Sequence, residues 1–133
     1  MRHETVFMSA ESLLQIWSRA KTRLFTALIR SQFKEFGQGS RIVPPCRYSN
    51  LHEMEIGQNV TIERHCWLLV LPQSDSNHGP KLLIKHNASI GMGSTISAAE
   101  RITIGEYVLL ARNVYISDHS HAYEDITLSL IHI

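Results

Sequence analysis

The chain has 133 residues, 44% of them hydrophobic, with 13 Lys and Arg against 12 Asp and Glu for a formal charge of +1. That length suits one domain with a real core, and so balanced a charge leaves no electrostatic footprint for nucleic acid. Cys46 and Cys66 are too few for a disulfide framework and too isolated for a zinc motif, so buried free thiols are expected. No apolar run approaches the roughly 18 residues of a membrane span. Arg2, His3 and Glu4 follow Met1 without a secretory signal pattern, so a cytoplasmic location is expected.

The first element is helical. Ser9 serves as N-cap, and Leu13, Ile16, Trp17, Ala20, Leu24, Ala27 and Leu28 follow at helical spacing. Phe25, Ile29, Phe33 and Phe36 widen the apolar face until Gly37 and Gly39 stop the pattern. Arg19, Lys21, Arg23, Arg30 and Lys34 occur with no acidic residue between Ile16 and Lys34, which makes 9–36 a basic amphipathic helix. Its wide apolar face is expected to pack on the body or on a neighbouring subunit while the cations stay in solvent. The competing reading is a weak contact with an anionic membrane surface, peripheral to the inner face of the membrane. Residues 1–39 therefore form an N-terminal segment and 40–133 the body, with Pro44-Pro45 as the rigid passage between them.

The body carries a six-residue beat: Ile56, Ile62 and Leu68, then Ile84, Ile90 and Ile96, then, after a two-residue slip, Ile104, Leu110 and Ile116. Such a period is neither helical nor a strand alternation. Glycine follows the aliphatic in Ile56-Gly57, Ile90-Gly91 and Ile104-Gly105. Three positions after it come Asn59, Asn87, Gly93 and Asn113, residue types that tolerate the left-handed conformation of a tight corner. Val60, Ala88, Ser94 and Val114 come next and can pack inside that corner. The pattern predicts an all-β fold, a left-handed parallel β-helix in which three short strands make one coil. Sandwich strands recur at about 8–12 residues and fit the beat poorly.

Between Pro72 and Pro80 the beat breaks into a polar stretch, read as a loop ejected from a corner. Loops on rigid scaffolds often carry binding contacts, which makes Asp75 and His78 candidate substrate residues. Chemistry concentrates where the beat ends, at Ser117-Asp118-His119-Ser120-His121. On extended chain His119 and His121 share one side and Ser120 points to the other. An imidazole can take a proton from a hydroxyl and return it to a leaving group, and Asp118 could orient one ring by accepting its second N–H.

The stretch from Ile84 to Asp125, ending in Asp-His-Ser-His-Ala-Tyr-Glu-Asp, resembles the hexapeptide-repeat O-acetyltransferases, nearest the branch that modifies polysaccharide and lipopolysaccharide sugars. The resemblance covers about 37–129. It implies acetyl transfer from acetyl-CoA, as co-substrate, to a sugar hydroxyl, with no metal, in a homotrimer whose sites lie between neighbouring β-helices. Counted from Val114, the family's base falls on His121, with His119 the close second; the residues themselves leave the pair open. Tyr123 lies in the same segment and is a candidate acceptor contact. Such attack builds an oxyanion that needs a positioned donor.

Family members continue after Tyr-Glu-Asp with further coils that carry much of the acetyl-CoA site, whereas this chain stops at Ile133. A truncated form with missing C-terminal coils is therefore expected, and a non-catalytic fragment that only assembles or docks is the alternative function. A zinc enzyme like the γ-type carbonic anhydrases is a further alternative through His86, His119 and His121, although their spacing does not match that family's. Gly91-Met92-Gly93-Ser94 lacks the strand-to-helix setting of a phosphate loop, and the repeat already accounts for its glycines.

Overall fold

The computed structural model describes residues 8–72 and 79–120. Helix α1 (Ala10–Ile29) leads through one 3-10 turn, Arg30–Gln32, into short strands. The first coil holds β1 (Glu35–Phe36), β2 (Arg41–Ile42) and β3 (Arg47–Ser49), and the second β4 (Met54–Ile56), β5 (Thr61–Ile62) and β6 (Trp67–Val70). The third holds β7 (Leu82–Ile84), β8 (Ser89–Ile90) and β9 (Thr95–Ala98), and the fourth β10 (Ile102–Ile104), β11 (Leu109–Leu110) and β12 (Tyr115–Ser117). Every strand pairs in parallel with the strand one coil away, giving three sheets ordered β1-β4-β7-β10, β11-β8-β5-β2 and β12-β9-β6-β3. This is the left-handed parallel β-helix expected from the hexads.

Register explains the beat. Phe36, Ile56, Ile84 and Ile104 stack in one column. Ile42, Ile62, Ile90 and Leu110 form the second, and Tyr48, Leu68, Ile96 and Ile116 the third. The middle of the stack is closed to water: Ile62, Ile90 and Ile96 are 0% exposed. Burial of such columns is the main stabilising contribution, because two-residue strands can offer only a few backbone hydrogen bonds each.

The two-residue slip belongs to the architecture. From Tyr48 to Ile56 and from Ile96 to Ile104 the interval widens in the same way, so the third corner of a coil is longer than the other two. In the first coil that corner is a 3-10 turn, Leu51–Glu53. In the second it carries the ejected segment, whose residues 73–78, with Asp75 and His78, lie outside the described residues. At the base of that segment Lys81, 7% exposed, donates from Nζ to the carbonyl of Leu71 at 2.7 Å, and its Nζ stands 3.8 Å from Glu53. The neck is thus closed and the stack continues unbroken above it.

Corner residues behave as their types suggest. Asn59, Asn87 and Asn113 have positive φ, as do Gly39 and Gly93. Two equivalent corners use His65 and Tyr107, which composition alone does not flag. The next position turns inward, with Val60, Ala88 and Ser94 at no more than 1% exposed. Cys46 and Cys66 occupy the same inner position in successive coils and are free thiols, Cys66 buried and Cys46 partly so. Burial pushes both thiols upward, Cys46 to about 11, which keeps them protonated near neutrality. Gly91 has a separate cause: a Cβ there would collide with the carbonyl of Ala111 in the next coil.

Three expectations need correction. Phe36 belongs to β1, so α1 ends at Ile29 and the first coil begins before Gly37. Pairing of Glu35 and Phe36 with β4 satisfies backbone groups, and burial of Phe33 beneath them favours leaving the helix early. Pro44-Pro45, expected as a passage into the body, forms the corner between β2 and β3 inside the first coil. The largest correction concerns the helix face. The row of Phe25, Ile29, Phe33 and Phe36 packs on the body as expected, but the row of Leu13, Ile16, Trp17, Leu24 and Leu28 does not; beside Ile29 the inward places go to Thr22 and Thr26, all three at 8% exposure or less. Thr26 explains the choice, since its hydroxyl donates to the carbonyl of Ile42 at 3.3 Å and accepts the Ile42 N–H at 3.1 Å. Ile42 sits on the edge strand of its sheet, so the threonine caps backbone groups left open at the end of the stack.

Candidate functional site

The site is built on the last described corner. Strand β12 leaves its sheet at Ser117 directly above Ser97 of β9, and the chain then turns through Asp118 and His119. The Asp118 carboxylate reaches over the corner below it and accepts three backbone N–H groups, from Ala99 at 2.7 Å, Glu100 at 3.0 Å and Arg101 at 2.7 Å. That corner holds the extra residues of the slip. Burial alone would raise the carboxyl, but the three N–H donors and His119 outweigh it and hold Asp118 below its ordinary value. Asp118 is therefore first a clamp joining the fourth coil to the third.

Its contact with His119 is secondary, with Oδ1 standing 3.4 Å from Nδ1. The nearer partner is Ser117, whose Oγ lies 3.1 Å from Nδ1. That hydroxyl spends its one proton on the His119 carbonyl at 2.9 Å, so it can only accept at the ring. Both neighbours of Nδ1 are acceptors, which places the proton of neutral imidazole on Nδ1 and leaves Nε2 with its lone pair. On that side stands Ser97 Oγ, 3.4 Å from Nε2 and 3% exposed as a residue. The His119 side chain is 30% exposed. With its lone pair on Nε2 the ring accepts there from the Ser97 hydroxyl, and an oriented imidazole of this kind can take a proton from a bound hydroxyl that reaches the same nitrogen.

Of the residues singled out in the sequence, Asp118 and His119 are brought together here, whereas His121 and Tyr123 lie outside the described residues. His86 stands at a different corner, where its Nδ1 accepts the Gln58 N–H at 2.8 Å, so it does not meet His119 within the chain. Among the described residues no cluster of three or more His, Cys, Asp and Glu side chains is arranged to hold a metal. Ser97 is not singled out by the sequence, and Ser117 stands in the reactive cluster there without a role of its own. The signal that could have found them is the coil length, because Ser97 and Ser117 occupy matching positions in consecutive coils.

No protein-family model and no curated protein matches the chain. Among solved structures, a hexapeptide-repeat-containing acetyltransferase from Vibrio cholerae is similar at 19% identity, over 84% of this chain and 85% of that one, with a TM-score of 0.40. The β-helix itself is established by the strand pairing of this chain.

Proposed function

We propose that the chain is a hexapeptide-repeat acyltransferase that moves an acetyl group from acetyl-CoA to a sugar hydroxyl in polysaccharide or lipopolysaccharide, acting as a homotrimer. The observation that carries the reading is the His119 ring, with Nδ1 committed to Ser117 and Asp118 and Nε2 left as the basic nitrogen. His119, or His121 beside it in sequence, accepts the proton of the acceptor hydroxyl as its oxygen attacks the thioester carbonyl carbon. The C–S bond then breaks, and the proton returns from the imidazolium to the departing thiolate. The fold supports the reading by analogy, and the resemblance between Ile84 and Asp125 supplies the substrate class.

The test incubates the 133-residue chain with acetyl-CoA and a panel of polysaccharide and lipopolysaccharide fragments, and follows acetylated product by mass spectrometry. Acetylated acceptor is expected from this chain or from one extended by further C-terminal coils, with a loss of roughly 10²–10⁴-fold on replacing the base, either His121→Ala or His119→Ala. Absence of both product and acetyl-CoA binding in this chain and in the extended one would overturn the reading in favour of a chain that only assembles or docks.

A further inference from the structure

Helix α1 turns Thr22 and Thr26 inward beside Phe25 and Ile29, and leaves its other apolar row outside. Thr22, Thr26 and Ile29 contact the body, and Leu13, Trp17, Leu24 and Leu28 form a stripe about half a turn away. Those four are 54%, 70%, 64% and 65% exposed, with Leu14 and Ile16 beside them at 68% and 52%. The stripe runs along a helix of 20 residues, about 30 Å long, on the side that faces away from the β-helix. Nothing else in the chain's described residues covers it. An apolar face of this width on the outermost layer of a molecule marks a contact surface.

Charge identifies the partner. Between the flank of α1 and the first two coils lies a cleft of about 510 Å³ lined by Arg19, Arg23, Arg41 and Arg64, together with Ser18 and Thr22. Glu63 is the one carboxylate in that lining. None of the four guanidinium groups takes part in an ion pair among the described residues. Two copies meeting through this face would bring like charges of the two flanks toward each other, whereas an anionic plane satisfies the stripe and the arginines together. Guanidinium groups suit phosphate oxygens because their forked donors match them in pairs.

We infer that the outer face of α1 is a docking surface for an anionic phospholipid bilayer, with the leucine and tryptophan stripe in the acyl boundary and the arginine cleft on headgroup phosphates. The helix lies in the plane of the surface: no helix of the described residues is long and apolar enough to cross a membrane. The contact is electrostatic in part, so it weakens with salt, and apolar in part, so salt does not abolish it.

Flotation of the full chain with vesicles tests this, comparing phosphatidylcholine alone with phosphatidylcholine containing phosphatidylglycerol. Binding to the anionic vesicles is expected to exceed that to neutral ones at least tenfold. The double variants Trp17→Ser with Leu24→Ser, and Arg19→Gln with Arg23→Gln, should each lower it several-fold while far-UV circular dichroism stays that of the wild type. Equal binding to neutral vesicles, or no loss in either variant, overturns the proposal. If instead the Trp17 and Leu24 variant changes a wild-type oligomer into a smaller species and vesicle binding is absent throughout, a second copy covers the stripe and the proposal falls.

Discussion

The interior of the β-helix and the outer face of α1 are both rows of aliphatic side chains at regular spacing, yet one row is closed to water and the other faces it. Ile62, Ile90 and Ile96 are 0% exposed, while Leu24 and Leu28 are 64% and 65% exposed. Spacing does not separate the two. What separates them is where backbone groups had to be satisfied: parallel pairing brings the hexad columns into register, whereas Thr26 turns the helix so that its hydroxyl can cap Ile42. Periodicity locates a face, and hydrogen bonding decides what it meets.

The largest effect should come from breaking a column. Leu68→Ala in the third column and Ile90→Ala in the second each remove a side chain held between coils on both sides. A loss of about 2–5 kcal/mol in urea unfolding is expected, because coils stacked above and below restrict collapse around the cavity. A loss near zero would mean that the columns are not the core.

Next in size is the clamp. Asp118→Ala leaves the N–H groups of Ala99, Glu100 and Arg101 without their acceptor, at a cost of about 1–3 kcal/mol, reduced to the extent that water replaces the carboxylate. The pH dependence has a definite sign. Asp118 is held below its ordinary 3.8 in the folded chain, so its contribution is fully present above 3.8 and is lost as pH falls through the lower folded value. Acid titration of stability should therefore show a shallower decline below 3.8 in the variant than in the wild type.

A smaller effect is expected at the join between the two regions. Thr26→Val keeps the shape but removes the hydroxyl that both donates to and accepts from Ile42. About 1–2 kcal/mol should be lost, since buried backbone groups at the stack's end are left unpaired. Hydrogen exchange at the Ile42 amide should quicken more than exchange at Ile62, one coil in. Equal exchange changes at both sites would place the threonine's role in global stability rather than at the edge.

The same division shows what could be read from sequence. The hexads gave three columns, and Asn59, Asn87 and Asn113 gave corners, because each obeys a local rule about packing or backbone conformation. The first coil falls outside the beat, and its β1 outside the body placed at 40–133, because Tyr48 is aromatic and Phe36 also fits the helical row of Phe25, Ile29 and Phe33. His65 and Tyr107 turn corners without the residue types that announce them; the stack imposes the conformation there. At the site, His119 was legible as a reactive residue next to Asp118. Its positioning by Ser117 and its approach to Ser97 were not, because they arise only when one coil lies on another.

The smallest stability effect is the sharpest test of the comparison. Leu24→Ala and Leu28→Ala make the same chemical change as Leu68→Ala, but at side chains that already stand mostly in water. Little apolar surface returns to solvent on unfolding, and alanine favours the helix slightly over leucine, so the change should stay within about 0.5 kcal/mol. The measurement belongs at low protein concentration without lipid, where the face is uncovered. A loss approaching that of Leu68→Ala under those conditions would show that the stripe is buried in the free protein, and the outward placement of Leu24 and Leu28 would be wrong. A loss that appears only as protein concentration rises would instead report a second copy on the stripe, because an interface stabilises by mass action and a core does not.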